Sequence, residues 1–324
     1  MNQENKHAKK VSKSATALYH ALENHNSSQV MLEKKTHATV EINHDTHPVN
    51  GAKKLLKHQV LGALIWDDST KQFCGYFDMR NLLSAVLHAT RKKQHDEDTS
   101  PFMVIMSESV GSTLHNIAYP LYTLPPDASL VKVGEYLSQP KCRRVAICED
   151  QCSRCDNIIT RRSLLNFMSK HISYSDLQEK LDDAGLDYRK EVIKVSDNTT
   201  AFDTYDLMDS RGLYGIAVVD QEDGSLAGYT SASDIRLAAD DEGKSSMDVD
   251  IMSYLAAVRQ WTVTEKGKAK YPICYVHEDA TVAQVVQKLV KTGYHRLFVV
   301  DEGKMPIGVI SLFDILKFAM TKKQ

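Results

Sequence analysis

Asp279–Phe318 reads DATVAQVVQKLVKTGYHRLFVVDEGKMPIGVISLFDILKF, and its periodicities decide the fold. Val282, Val285, Val286, Leu289 and Val290 fall at i, i+3, i+4, i+7 and i+8, one apolar stripe of a helix. Leu297-Phe-Val-Val300 is a short buried strand, Asp301-Glu-Gly-Lys304 a turn, and Gly308-Val-Ile310 a second strand. Ser311-Leu-Phe-Asp314 opens another helix through Ile315, Leu316 and Phe318. Each helix has one apolar face, which it can bury only against the small sheet and a neighbouring copy of the unit.

The same order recurs upstream. Asp197-Asn-Thr-Thr200 begins a helix reaching Leu207, Gly215-Ile-Ala-Val-Val-Asp220 is a strand, Asp223-Gly224 a turn, and Gly228-Tyr-Thr-Ser-Ala-Ser-Asp234 a second strand and helix start. Asp234 and Asp314 are 80 residues apart. A weaker copy runs through Leu64-Ile-Trp-Asp67 and Gly75-Tyr-Phe-Asp-Met-Arg-Asn81. Another runs through Arg143-Arg-Val-Ala-Ile147 and Asn157-Ile-Ile-Thr-Arg-Arg-Ser163, placing Ser163 82 residues after Asn81. The spacing predicts an α/β (α+β) protein of four repeats in two pseudo-symmetric pairs, at 29–90, 118–171, 186–240 and 270–324. Residues 1–28 are polar enough for a disordered tail with at most a short helix near Ala15–Leu22. Residues 91–117 and 241–269 are expected to be linkers or excursions, with Arg259–Tyr271 as a loop or extended lead-in to the last repeat.

Charge and composition narrow the function. The 324 residues carry 40 basic against 42 acidic side chains, a net charge of -2, so the chain has no global attraction for nucleic acid or an anionic membrane. No stretch approaches the roughly 18 consecutive apolar residues of a membrane span, and Met1–Ser14 is polar and basic without an apolar signal core. Six cysteines in a chain of this length fit a reducing compartment. Cys142, Cys148, Cys152 and Cys155 are close enough in sequence for a small zinc knuckle or redox pair, with ordinary buried or loop thiols as the alternative.

Gly228-Tyr-Thr-Ser-x-x-Asp-Ile235 and Gly308-Val-Ile-Ser-x-x-Asp-Ile315 resemble the strand-to-helix signature of the CBS domain, whose paired form is the Bateman module. Within that family, Trp66-Asp-Asp-Ser-Thr-Lys-Gln-Phe-Cys-Gly75, His295-Arg-Leu-Phe-Val-Val-Asp301 and Gly308-Val-Ile-Ser-Leu312 are similar to the gamma subunits of AMP-activated and SNF1-type protein kinases. The resemblance covers about Ala38–Met320. It implies a non-catalytic, cytoplasmic or nuclear regulatory subunit that binds AMP, ADP or ATP as regulatory ligands. Its implied partners are a catalytic alpha and a scaffold beta subunit, and ligand binding would shift the relative arrangement of the two modules.

Ser311 and Asp314, like Ser231 and Asp234, stand three apart at a helix start, the spacing of a capping box that needs no ligand. The resemblance assigns Asp234 and Asp314 a second task, gripping ribose hydroxyls with Ser231 and Ser311 nearby. Phosphates call for arginine, whose planar fork matches their oxygens. His295 and Arg296 before the fourth-repeat strand, Arg144 (beside Arg143) before the second-repeat strand, and Arg162 are the candidates. Tyr229 and Ile273, Cys274 and Tyr275 are placed to line the Asp234 site, and Val192 and Ile193 the Asp314 site, although the same residue types suit a sheet core.

The first two repeats depart from the family pattern, with Asp78 and Asn81 in one and Ser163 in the other. Leu61 stands where gamma subunits present a phosphate-facing arginine. At most two strong nucleotide sites are therefore expected, both involving repeats 3 and 4. The chain lacks a Gly-x-Ser-x-Gly elbow, a phosphate-binding Gly-x-x-x-x-Gly-Lys loop and a His-Glu-x-x-His helix, so no catalytic apparatus or catalytic cofactor is expected. A stand-alone regulator of another enzyme or transporter, and an adaptor with decayed sites, are the competing readings.

Overall fold

The computed structural model describes residues 11–33, 39–95, 108–115, 120–149, 154–237, 247–266 and 273–321. Four three-stranded sheets share one topology, in which a short lead-in strand pairs parallel to a central strand and the third strand returns antiparallel. The central strands are Gly62–Asp67, Arg144–Ile147, Gly215–Val219 and Arg296–Val300. Their returning partners are Gln72–Asp78, Asn157–Thr160, Leu226–Ser231 and Pro306–Ser311. A register shift falls at the equivalent place in three sheets, between Ile65 and Trp66, Val218 and Val219, and Val299 and Val300. The repetition legible in the sequence is thus repeated in detail, and the α/β architecture of four CBS-type units stands.

Each unit's second helix starts where its third strand ends, and a capping box makes the junction. Thr160 with Ser163, Ser231 with Asp234, and Ser311 with Asp314 all close reciprocal side-chain bonds. In the first repeat the Asn81 Oδ1 atom accepts the Asp78 amide at 3.0 Å, and the Asp78 carboxylate accepts the Arg80 amide at 2.8 Å. The preceding helix of the fourth repeat, Val282–Thr292, buries Val282, Val285, Val286 and Leu289 as its stripe requires. Each such side chain contributes about 1.5–3 kcal/mol on full burial.

The four units close into a ring. Helix Met79–His95 of repeat 1 packs on helix Ala201–Ser210 and the short turn Ala232–Ile235 of repeat 3. Helix Arg161–Lys170 of repeat 2 packs on helices Val282–Thr292 and Leu312–Met320 of repeat 4. One core therefore joins repeats 1 and 3, and a second joins repeats 2 and 4. Within the pairs, Leu64, Phe73 and Tyr76 meet Ala146, Cys148 and Cys155, while Tyr229 meets Tyr294 and Phe298.

Three regions expected to be largely irregular are helical. In residues 11–28, assigned to a disordered tail, the short helix expected near Ala15–Leu22 is present as Lys13–His20, and a second helix, Ser27–Glu33, follows it. Ala15, Leu18 and Leu22 are buried from this region, and the first helix lies on Leu312–Met320. Glu179 holds its start by accepting from the Ser12 hydroxyl at 2.5 Å and the Ser14 amide at 2.7 Å, a carboxylate at the positive end of a helix. Arg91, placed in a linker, continues helix Met79–His95 and pairs with Asp206. Arg259, placed in a lead-in, belongs to helix Ile251–Lys266, whose start is capped by the Asp250 carboxylate accepting the Ser253 amide at 2.8 Å, and Ile251, Tyr254, Leu255 and Val258 are buried. A buried stripe at helical spacing outweighed the polar composition of these segments.

Cys142 lies in the core shared by repeats 2 and 4, whereas Cys148 and Cys155 lie together between the first two sheets. That division separates Cys142 from the other two, and Cys152 lies outside the described residues. No group of three or more potential metal ligands occurs among the described residues. Among them, too, no helix is long and apolar enough to cross a membrane.

Candidate functional site at the centre of the ring

The residues immediately before the central strands are Leu61, Arg143, Tyr214 and His295, of which Arg143, Tyr214 and His295 come together where the units meet, while Leu61 packs against the core of repeats 1 and 3. The guanidinium of Arg143 lies over the Tyr214 ring, 3.3 Å from its centroid. His295 is exposed to water, yet Arg143, Arg144, Arg162 and Arg296 all act on it electrostatically. The surrounding protein and then this cationic ring push its pKa well below 6.5. Because His295 itself is wetted, repulsion by the four guanidinium groups is the firmer of the two causes. His295 is neutral at pH 7.

The arginines also close the interfaces. Arg144 of repeat 2 donates to the Asp78 carboxylate at 3.0 Å and the Leu61 carbonyl at 3.5 Å, both in repeat 1. Arg296 of repeat 4 donates to the Gly215 carbonyl of repeat 3 at 2.7 Å. Gly62 and Gly215 make these approaches possible, since a Cβ there would sit 2.5 Å from Arg144 Nη2 and 2.4 Å from Arg296 Nη1 respectively. Between the pairs, Arg80 donates to the Leu213 and Asp209 carbonyls at 2.6 and 2.8 Å. Arg162, at the equivalent helix position, donates to the carbonyls of Leu289, at 3.2 Å, and Tyr294. Both therefore satisfy carbonyls at the end of a helix in the opposite module.

Burial and the charge of Arg143 lower the Arg296 pKa to about 10, still protonated at pH 7. Among the described residues no carboxylate forms an ion pair with either Arg296 or Arg143. This is a wetted concentration of positive charge with donors to spare, suited to a phosphate or another multivalent anion.

The remaining expected site residues divide. Asp314 is 8% exposed; its Oδ2 accepts from the Ser311 hydroxyl at 2.6 Å and amide at 2.7 Å, while Lys190 pairs with Oδ1. It also acts electrostatically on Arg161 and Arg296, so it belongs to the central cluster. Asp234 is fully buried and accepts from the Ser231 amide at 2.8 Å, the Ser231 hydroxyl at 3.1 Å and Thr230 at 3.3 Å. Tyr229 and Cys274 are core residues, with Tyr229 edge-on to Tyr294 at 4.9 Å between centroids. Ile273, Tyr275 and Val192 are half-buried against the core of repeats 2 and 4, and Ile193 against that of repeats 1 and 3. Arg80, Lys190 and Tyr214 were not anticipated. Arg80 carried a signal, since it stands two residues after its cap just as Arg162 does.

Comparison with known proteins agrees with this architecture. Residues 184–241 and 269–321 match the CBS domain. The chain is 25% identical over 276 residues to 5'-AMP-activated protein kinase subunit gamma-3 of Sus scrofa, covering 81% of this chain and 50% of that protein. It is 26% identical over 187 residues to protein sds23 of Aspergillus clavatus, covering 56% of this chain and 36% of that protein. The chain thus spans half or less of the length of these curated relatives. Among solved structures, Methanocaldococcus jannaschii protein MJ1225 superposes with a TM-score of 0.70 at 15% identity, covering 91% of this chain and 99% of that one. Two matched CBS domains, two further units of the same topology and a shared overall fold lead to one conclusion: residues 184–241 and 269–321 are CBS domains, and the chain as a whole is similar to the gamma subunits of AMP-activated protein kinase.

Proposed function

We propose that this protein is a regulatory subunit that binds an adenine nucleotide at the centre of its ring and passes the binding energy to a partner spanning both modules. The observation that carries the reading is the exposed His295 set among Arg143, Arg144, Arg162 and Arg296, with Arg296 and Arg143 outside any ion pair among the described residues. Arg296 and His295 receive phosphate oxygens and Asp314 receives ribose hydroxyls once the half-exposed Lys190 has moved off its carboxylate. Asp234 and Ser231 serve first as a helix cap, and a sugar at that carboxylate requires the turn to open. The similarity to kinase gamma-3 supports a serine/threonine kinase complex, with catalytic alpha and scaffold beta subunits, as the partner.

Calorimetry with AMP, ADP and ATP tests the site. Wild-type protein is expected to bind at least one of them below roughly millimolar concentration. Arg296→Met and Asp314→Ala are each expected to weaken binding by about 10-fold or more while the fold is kept, because each removes a charge-assisted bond worth about 1.5–3 kcal/mol. Unaltered affinity in both variants would move the ligand elsewhere. Isolation of the tagged chain from its own cells tests the partner. Recovery of kinase alpha and beta subunits is expected, and their consistent absence would favour a regulator of another enzyme.

Proton linkage provides a second measurement. A phosphate dianion beside His295 raises a pKa that the free protein holds low, so binding takes up protons. The affinity ratio of wild type to His295→Gln should therefore grow as pH falls from about 7.5 to about 6. Taking the ratio cancels protonation of the nucleotide itself. A flat ratio would place the phosphate away from His295.

A further inference from the structure

Arg144 and Arg296 occupy the same position in repeats 2 and 4, and each reaches over a glycine of its module partner, yet only one meets an acid. Across from Arg144, the cap of the first-repeat helix is Asp78; across from Arg296, the equivalent cap is Ser231. The Asp78 side chain is 4% exposed and that of Arg144 13%, and their charges meet at 3.0 Å. Burial alone would raise the Asp78 pKa, but Arg144 and Arg143 outweigh it and hold the carboxylate ionised at neutral pH. The first module therefore carries its own counter-ion, built into the strand-to-helix junction. The second module carries a neutral hydroxyl there, already engaged with Ser233 at 2.8 Å and Asp234 at 3.1 Å.

We infer that Asp78 is a specificity-determining residue: its carboxylate takes the place of a ligand phosphate on Arg144 and confines phosphate-bearing ligands to the Arg296 half of the ring. This rests on the nucleotide-binding reading of the central site and says which of two pseudo-equivalent arginines is open. A phosphate approaching Arg144 meets a pair that is already neutral, and its own charge is repelled by the fixed carboxylate. Near Arg296 the same phosphate meets a half-buried cation whose hydrogen-bond partner among the described residues is a backbone carbonyl.

Inorganic pyrophosphate and AMP are the probes, titrated into wild type, Asp78→Ser, Asp78→Asn and Asp78→Ser/Arg144→Met. Asp78→Ser, which installs the residue found at position 231, is expected to gain pyrophosphate affinity by about 10-fold or more or to bind one further equivalent. The gain should vanish in the double variant. Asp78→Asn keeps the side-chain shape without the charge and should show the same Arg144-dependent gain if the serine variant folds poorly. No gain in either folded variant, or a gain that survives loss of Arg144, overturns the inference. Absence of wild-type AMP binding would instead remove the nucleotide reading, while the variants would still decide whether Asp78 blocks Arg144.

Discussion

Asp78→Ala, with Arg144 left in place, is expected to lower folding stability by about 3 kcal/mol in phosphate-free buffer, near the low end for breaking a buried ion pair. The low end applies because Arg144 lies beside the wetted ring and keeps 13% of its surface exposed. The loss arises from two sources. The arginine is left near Arg143 without its counter-charge, and the Arg80 amide at the start of helix Met79–His95 loses its acceptor. Arg144→Met alone should also destabilise, since Asp78 would then be a buried carboxylate with fewer partners. The combined variant should recover much of either loss, because an apolar pair incurs no charge-burial cost. Urea denaturation of the four proteins gives the cycle. Losses that simply add would show that the two groups are not coupled.

Arg162→Ala and Arg80→Ala are expected to cost about 2–3 kcal/mol each, the value of charge-assisted bonds to helix-terminal carbonyls that are left unpaired. The local consequence is more diagnostic than the global one. Arg162→Ala should raise hydrogen exchange at the end of helix Val282–Thr292, and Arg80→Ala at the end of helix Ala201–Ser210, each in the module opposite the substitution. Lysine should restore only part of the loss, because one ammonium cannot reproduce the fork that spans two carbonyls. Exchange changes confined to the mutated repeat would remove these arginines from the contacts that join the modules.

The fold of repeats 3 and 4 was legible because stripe, strand, turn and cap coincide within about 40 residues, where local preference and global packing agree. Helix Ile251–Lys266 was equally written in the sequence, through Asp250 as cap and Ile251, Tyr254, Leu255 and Val258 as stripe. It was obscured by the acidic, serine-rich segment before it. Helix Lys13–His20 is polar by composition, and its few apolar residues gain their meaning from a helix some 300 residues later.

The central charges could be placed by register, since His295, Arg296, Arg143 and Arg144 all stand at a strand entry. What each arginine does could not be. Arg144 is committed by an aspartate 66 residues before it, Arg162 by carbonyls 127 and 132 residues after it, and Asp314 receives a lysine 124 residues away. Such partners share no local pattern and become visible only when the ring closes.

The latches Arg80 and Arg162 both originate in the first half of the chain and end in the second, whose corresponding positions hold Ser233 and Phe313. The halves are thus plug and socket. Two copies of the second half brought face to face would offer sockets on both sides and nothing to fill them, so this polarity favours a ring made from unlike halves over one assembled from duplicates of a single half.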